Sequence, residues 1–152
     1  MPFTKDELIK LINLDEPDYP EIVSKLTQDD IPTLIELTTA NNPAIATKAI
    51  SCLGLMKSAK ALQGLESAAK HPDPVRRIAA ANSLRNMTTV QGSTQVLEKL
   101  LDDTDIGVRK FALKTVEAGN VSALREKVRA ISLKEANPTL KSLSENVLQR
   151  LR

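Results

Sequence analysis

Apolar residues recur along most of the chain at intervals of three and four positions, the spacing of amphipathic helices. In the segment that begins at Pro43, for example, Ile45, Ala49 and Leu53 fall on one helical face. No run of Val, Ile, Thr and Tyr alternates cleanly with polar residues, which argues against a sheet. The pattern therefore predicts an all-α protein.

Helix boundaries are marked along the whole chain. Thr4 and Glu7 have the spacing of a capping box, and Pro20 and Pro32 suit the first turns of two later helices. We expect Asp29 or Asp30 to cap the helix that contains Pro32. Ten helices in five hairpins are predicted within one domain, residues 1–152. The first hairpin is a divergent N-terminal cap at 1–28, and the repeats that follow cover about 29–57, 58–88, 90–119 and 120–152.

One sequence unit recurs about every 32 residues. Its apolar anchors, separated by 30, 33 and 32 residues, are Ile45, Val75, Val108 and Leu140. A small residue follows four positions after three of the anchors, and we expect Ala49, Ala79 and Ala112 to let helices approach closely. A fixed period of about 20–50 residues is typical of solenoids, in which each unit buries its apolar face on its neighbours.

The segments 73–81 and 105–112 share a more specific motif: an acidic turn, a Val-Arg pair, and a small residue four after the valine. Through this motif the chain resembles HEAT-repeat proteins, most of all the short bacterial type similar to the repeats of phycobilin lyases. The resemblance covers roughly residues 30–152 and implies a right-handed α–α superhelix whose second helices line the concave face. The outer repeats depart from the motif at Asn42, Ala46, Asn137 and Lys141.

Four residues of the motif are predicted to be structural. Asp73 and Asp105 stand at helix starts, where a carboxylate accepts a backbone N–H and meets the positive end of the helix dipole. Arg76 and Arg109 follow within one turn. Each is expected to reach a turn carboxylate in its own or a neighbouring repeat.

Composition is that of a soluble globular protein, with 41% apolar and 26% charged residues but only two Phe and one Tyr. No apolar stretch approaches the roughly 20 residues of a membrane span, and the N-terminus does not resemble a signal peptide. The single cysteine, Cys52, cannot form an internal disulfide. These features favour a cytoplasmic protein.

Charge is distributed unevenly. Residues 1–56 hold four Lys against nine Asp/Glu, a net −5, whereas residues 57–152 hold seventeen Lys/Arg against ten Asp/Glu, a net +7. Basic residues that face away from the apolar stripe of the second helices are Arg77, Lys110, Lys114 and Lys141. One interpretation is a binding surface for another protein with an acidic surface; the other is an ordinary solvated helix face. The opposite charges of the two ends also allow head-to-tail association, which terminal caps usually prevent.

No residue pattern predicts catalysis, a cofactor or a metal site. His71 is the only histidine and lies in a turn between prolines, so a metal site built on several histidines is excluded. Cys52 falls on a packed helix face and is predicted to be a core residue, with a reactive or ligand-attaching thiol as the alternative. The pairs Asp29-Asp30 and Asp102-Asp103 are explained by capping.

The sequence therefore predicts a non-catalytic interaction module or scaffold that binds another protein on its concave face. The alternative that the resemblance implies is a subunit similar to a bilin lyase or isomerase, or a phycobiliprotein-binding protein. Binding to a DNA backbone is disfavoured, because the basic excess is modest and aromatic residues for base stacking are scarce.

Overall fold

The computed structural model describes residues 1–152 and is all α-helical, as predicted. The α-helices are α1 (Lys5–Ile12), α2 (Tyr19–Ser24), α3 (Ile31–Leu37), α4 (Pro43–Met56), α5 (Ala59–Ala69), α6 (Pro74–Ser83), α7 (Ser93–Leu100), α8 (Ile106–Ala118), α9 (Arg125–Lys134) and α10 (Pro138–Arg150). Short 3₁₀ turns at Gln28–Asp30, Leu84–Asn86 and Ser122–Leu124 adjoin α3, α6 and α9. None of these helices combines the length and the apolar character that a membrane span needs.

Side-chain caps start most of the second helices. Asn42, Asp73, Asp105 and Asn137 each accept a backbone N–H from the first turn of the helix that follows. Three of these helices, α4, α6 and α10, also carry proline in their first turn, where a missing N–H removes no helical hydrogen bond. The same type of helix start therefore recurs in these four second helices.

The second helices form one layer of the array, in which α4 packs on α6, α6 on α8, and α8 on α10. Small residues allow this close approach: a Cβ added at Gly54 would lie 2.8 Å from Cβ of Ser83 on the next helix. The first helices α3, α5 and α7 contact one another less closely. The array therefore curves with the second helices on its inner side.

The structure corrects the register of the repeat by one residue. Val75 is 52% exposed, so it is not the buried equivalent of Val108. The buried position is held instead by Ala46, Arg76, Val108 and Leu140, which are separated by 30, 32 and 32 residues. For the same reason the fully buried small residue that corresponds to Ala112 is Ala80, and Ala79 is only partly buried.

The N-terminal helices α1 and α2 both pack on α4. Asp30 fastens this part of the chain, but not by the predicted cap: it makes no side-chain bond to α3. Its carboxylate accepts the N–H groups of Phe3 at 2.8 Å and Thr27 at 2.9 Å. Asp29 likewise does not cap α3. The Asp30 carboxylate thus links the segment before α1 to the start of α3. It can be buried because two backbone donors compensate its charge.

Candidate functional site

The second helices α6 and α8 each leave one side uncovered. Each packs against a second helix on both flanks and against its own first helix behind. The uncovered side, which we call the inner face, consists of Val75, Ile78, Ala79 and Asn82 on α6 and Ile106, Lys110, Phe111 and Lys114 on α8. These positions recur at helical spacing, so they form one continuous surface.

Two free lysines flank an aromatic ring on the inner face. Nζ of Lys110 lies 5.9 Å and Nζ of Lys114 lies 5.6 Å from the ring centroid of Phe111, within the range of a cation–π contact. Both lysines are exposed, and neither ammonium has a carboxylate within 4.0 Å. Like charges four residues apart slightly destabilise a helix. The pair is therefore free to bind an anionic group.

Apolar side chains adjoin these lysines. Val75 is 52% and Ile106 is 48% exposed, and Ile106 precedes Lys110 by one helical turn. Ile78 connects the two helices, because its Cδ1 lies 2.9 Å from the place where a Cβ at Gly107 would be. The inner face therefore combines an exposed apolar patch with the free lysine pair.

Arg77, which the sequence groups with the lysines, makes an intramolecular ion pair. Its Nε donates to Asp103 at 2.9 Å, and its Nη1 donates to the carbonyl oxygens of His71 and Pro72, both at 2.9 Å. The side chain is only 15% exposed. The guanidinium therefore ties α6 to the turn before α8.

Arg109 repeats this arrangement 32 residues later. Its Nε donates to Glu135 at 3.1 Å, and its Nη1 donates to the carbonyl oxygens of Asp103 at 2.8 Å and Thr104 at 3.2 Å. We call Arg77 and Arg109 the joint row, since each connects two successive repeats. Lys141 occupies the same register another 32 residues on, and it is exposed and makes no ion pair.

Arg76 is not equivalent to Arg109, although each follows a valine. Its guanidinium donates to the carbonyl oxygens of Thr38 at 2.7 Å and Ala40 at 2.6 Å, and its Nε donates to Asp73 at 3.4 Å. The side chain is 6% exposed. Arg76 thus occupies an otherwise apolar register and satisfies carbonyl groups just after the end of α3.

Comparison with protein families shows which family this helical array belongs to. The model of HEAT repeats matches residues 11–85 and 31–117, which together span more than half of the chain. The chain belongs to the HEAT-repeat family. Among the curated proteins, none matches it at a significant level.

Solved structures show the same HEAT-like fold. A chain from the complex of CpcE and CpcF of phycocyanin lyase from Nostoc sp. PCC7120 superposes with a TM-score of 0.72 at 17% identity, covering 94% of this chain and 96% of that one. An engineered protein superposes with a TM-score of 0.64 at 16% identity, covering 97% of this chain and 78% of the other. At these identities the likeness concerns the fold.

The acidic turn residues of these HEAT repeats are occupied by backbone donors. Oδ1 of Asp73 accepts the N–H of Val75, and Oδ2 of Asp105 accepts the N–H of Val108, both at 3.0 Å. Asp103 accepts the N–H of Asp105 at 2.9 Å in addition to its bond with the joint row. These carboxylates hold helix starts and repeat contacts.

The lone histidine and cysteine of the HEAT array are not arranged for chemistry. Nδ1 of His71 accepts the N–H of Asp73 at 3.0 Å within the turn. Cys52 is fully buried beside Tyr19 of α2, and burial raises the pKa of its thiol to about 12. No group of three or more His, Cys, Asp or Glu side chains is placed to hold a metal ion.

A surface cavity of about 530 Å³ lies away from the inner face, between α9 and the turn after α7. Lys127 and Asp102 form an ion pair at 2.5 Å beside it, and Arg109 and Glu135 form its inner wall. A cavity of about 80 Å³ occurs between α5 and α7 in a similar position of the array. These cavities are grooves between successive first helices.

Three features of the inner face escape the sequence interpretation. Phe111 is only partly buried, and the ammonium groups of Lys110 and Lys114 lie beside its ring. Val75 and Ile106 are exposed, although apolar residues at helix starts are commonly buried. The spacing Lys-Phe-x-x-Lys is the signal that identifies the aromatic ring as part of the site.

Proposed function

We propose that this HEAT-repeat protein is a non-catalytic interaction module that presents its inner face to another protein. The observation that carries the proposal is the pair of unpaired lysines, Lys110 and Lys114, around the partly exposed ring of Phe111. The other basic side chains of α6 and α8, which are Arg76, Arg77 and Arg109, already have intramolecular partners. The free pair suits an acidic group on a partner.

Rigidity of the surface supports this function. Phe111 is anchored on the buried core, and both lysines lie on a 13-residue helix packed between two neighbours. A pre-organised surface loses little conformational freedom when it binds, so more of the interaction energy remains as affinity. Lys141 extends the basic surface on α10, whereas Arg77 contributes through the joint row.

Site-specific photo-crosslinking in a native lysate tests the proposal. A photoreactive phenylalanine analogue at Phe111 should form a defined adduct with a partner protein. The matched control replaces Leu133 of α9, which is exposed on a first helix, and should form no such adduct. Equal capture from both positions, or capture from Leu133 alone, would contradict an inner-face function.

The adduct should also depend on the lysines. In the Phe111 probe background, Lys110→Glu with Lys114→Glu should reduce adduct formation about tenfold or more, since the charge of the site is reversed. Lys60→Glu with Lys99→Glu makes the same change of net charge on the first helices α5 and α7. This control should leave the adduct unchanged.

A second candidate is a bilin lyase-like subunit or a phycobiliprotein-binding protein. It is supported by the likeness to a chain of the phycocyanin lyase complex over almost the full length of both chains. This function predicts a shift in visible absorbance when the purified protein is mixed with a linear tetrapyrrole. An unchanged spectrum, at protein concentrations well above that of the pigment, would remove it.

Cys52 allows a sharper test of this candidate. Because the thiol is buried with a raised pKa of about 12, it should react with Ellman's reagent only as fast as the protein unfolds. Labelling rates measured in buffer and in urea check this. Rapid labelling of the native thiol would instead favour a reactive cysteine.

A further inference from the structure

The N-terminal segment covers the inner side of α4. Lys48, in the register of Lys110, is only partly exposed, and its Nζ donates to Oδ1 of Asn13 at 3.3 Å. Cys52, one helical turn further along α4, is fully buried beside Tyr19 of α2. The surface of the second helices that is open to a partner therefore begins at α6.

On α10, at the other end of the layer, the corresponding surface is polar. The exposed residues there are Thr139, Ser142 and Asn146. None of them carries a charge or a large apolar group. Exposed apolar side chains and free lysines therefore occur together only on α6 and α8, which confines the site to one pair of helices.

A groove with an apolar floor lies between these two helices. Because Gly107 has no side chain, Ile78 extends over the first turn of α8, with its Cδ1 2.9 Å from where a Cβ at Gly107 would be. Phe111, one turn further on, is also partly buried and packs on the core. We call this surface the α6–α8 groove; its floor is Ile78, Ala79 and Phe111, and its rims are Val75 and Asn82 on α6 and Ile106, Lys110 and Lys114 on α8.

The two rims of the groove differ in charge. The α6 rim is neutral, whereas the α8 rim carries the two free lysines. Helix α6 has no acidic residue, and the only one of α8, Glu117, pairs with Arg150 at 3.0 Å. Lys48 on the neighbouring helix adds charge of the same sign. An occupant therefore gains from carboxylates along one side, the side that faces α8.

The backbone of the groove favours a helical occupant over an extended one. Within α6 and α8 the backbone N–H and C=O groups are hydrogen-bonded along the helix, so the groove offers no backbone partners to an extended segment. A helix satisfies its own backbone groups and presents only side chains. Helices α6 and α8 contain 10 and 13 residues, so an occupant of about three turns matches their length.

We infer that the α6–α8 groove binds an amphipathic helix of another protein, with carboxylates along one flank of its apolar stripe. The inference rests on the proposed function, because it names the kind of segment that occupies the same face. The apolar stripe covers Val75, Ile78 and Ile106. Two carboxylates one helical turn apart meet Lys110 and Lys114, which are also one turn apart.

Fluorescence anisotropy with model peptides tests this inference on the full chain. The probe is a fluorescein-labelled peptide of about 16 residues with leucines in one helical stripe and glutamates at i, i+4 along one flank. It should bind saturably at about 50 mM NaCl and more weakly at about 500 mM, since exposed ion pairs are screened by salt. A shuffled peptide of the same composition, without the stripe, should bind about tenfold more weakly or worse. Equal affinity for the two peptides, or no binding of the first, would overturn the inference.

Charge reversal on both partners gives the decisive arm. Lys110→Glu with Lys114→Glu should weaken binding of the glutamate peptide about tenfold or more. The same variant should bind a peptide whose flank glutamates are replaced by lysines, because the charges are then complementary again. Lys60→Glu with Lys99→Glu is the control of equal charge change and should leave both affinities unaltered. A lysine variant that still prefers the glutamate peptide contradicts the pairing.

The apolar half of the site separates a helix from a phosphate backbone. Val75→Ser with Ile106→Ser should weaken the glutamate peptide about tenfold, because apolar contact area is lost. Leu133→Ser, which removes an exposed leucine of α9, is the control and should change nothing. Circular dichroism should show unchanged helix content, since all these side chains are exposed. Duplex DNA that binds more tightly than the peptide, and is indifferent to Val75 and Ile106, would assign the lysines to phosphate groups and overturn the helical occupant.

The outcomes also separate this inference from the proposed function. If the Phe111 probe captures a partner while the ordered peptide binds no better than the shuffled one, the helical occupant is wrong and the interaction module stands. If the ordered peptide binds through the lysines while Phe111 and Leu133 capture equally, the groove retains its specificity and the proposed function is contradicted. Suppression of the Phe111 adduct by excess ordered peptide, but not by the shuffled one, supports both.

Discussion

Arg109 and Lys110 are neighbours in sequence, and they stand for two regions of the second helices that differ in what their charges do. The joint row, Arg77 and Arg109, is mostly buried. Each arginine binds a carboxylate in the turn before the next second helix and two carbonyl oxygens in the turn before its own helix. The inner-face lysines, one residue further round the helix, have no acidic partner.

Within α6 and α8, the difference shows that register, rather than charge, separates the arginines that hold the fold from the lysines that have no acidic partner. A side chain in the joint row points toward the turn between repeats, where carboxylates and free carbonyl groups are concentrated. The two lysines of the inner face, in contrast, are exposed and reach no carboxylate. Changes in the first region should therefore affect stability, and changes in the second should affect binding.

The largest loss of stability is expected at Arg76, which lies beside the joint row and is more deeply buried. Arg76→Ala leaves the buried carbonyl of Thr38 and the carbonyl of Ala40 without their donor. An unsatisfied buried acceptor costs about 1–3 kcal/mol, so the two carbonyl groups together should cost about 2–4 kcal/mol. Urea unfolding measures the change, and a loss below about 1 kcal/mol would contradict the buried network.

A smaller loss of stability is expected at an uncharged, buried position in the layer of second helices. Ala112 is fully buried in α8, so Ala112→Leu should overpack the layer and destabilise the protein by about 1–3 kcal/mol. Ala118→Leu, on an exposed position of the same helix, is the control and should change little. Equal unfolding free energies for both variants would show that the buried face of α8 is assigned wrongly.

The repeat register at α6 shows how far the sequence predicts the fold. Helix starts, the all-α class and the near-32-residue period follow from local patterns, because caps and apolar spacing act within a few residues. The register at α6 does not follow, since Val75-Arg76 resembles Val108-Arg109 as a dipeptide. What decides the register is an acceptor 26 residues ahead, and only the stacked structure brings that acceptor to Arg77 or Arg109.

The candidate site is predicted only in part for a related reason. The basic residues are visible in the sequence, but whether each has a partner depends on turns in the next repeat. Lys110 and Lys114 lie on the open side, whereas Arg77 meets Asp103. Exposure of Val75 and Ile106 likewise depends on how neighbouring helices pack.

The joint row gives the next prediction. Arg77→Ala and Arg109→Ala should each cost about 1–2 kcal/mol, less than Arg76→Ala, because water can reach the freed carboxylate and carbonyl groups more easily. The two losses should be similar, since the contacts of the two arginines match. Unequal losses in urea unfolding, with one near zero, would contradict the equivalence of the two joints.

The pH dependence of the unfolding free energy tests the contacts of the Glu135 carboxylate. Its carboxylate accepts the N–H of Asn137 and pairs with Arg109, and these contacts hold the carboxyl pKa below its ordinary value of 4.5 despite partial burial. A lowered pKa contributes stability that is complete above pH 4.5 and is lost as the pH falls through the folded-state value. The stability advantage of the wild type over Glu135→Gln should therefore shrink below pH 4.5. An advantage that is constant down to about pH 2 would contradict this origin.

The central claim is that the inner-face lysines are available for binding because the fold does not use them. Urea unfolding of Lys110→Ala with Lys114→Ala, measured beside Arg109→Ala, tests it most directly. The double variant should unfold within about 0.5 kcal/mol of the wild type, whereas Arg109→Ala should fall clearly below it. A double variant that loses as much stability as Arg109→Ala would show that these lysines serve the fold and would remove the basis for a binding face.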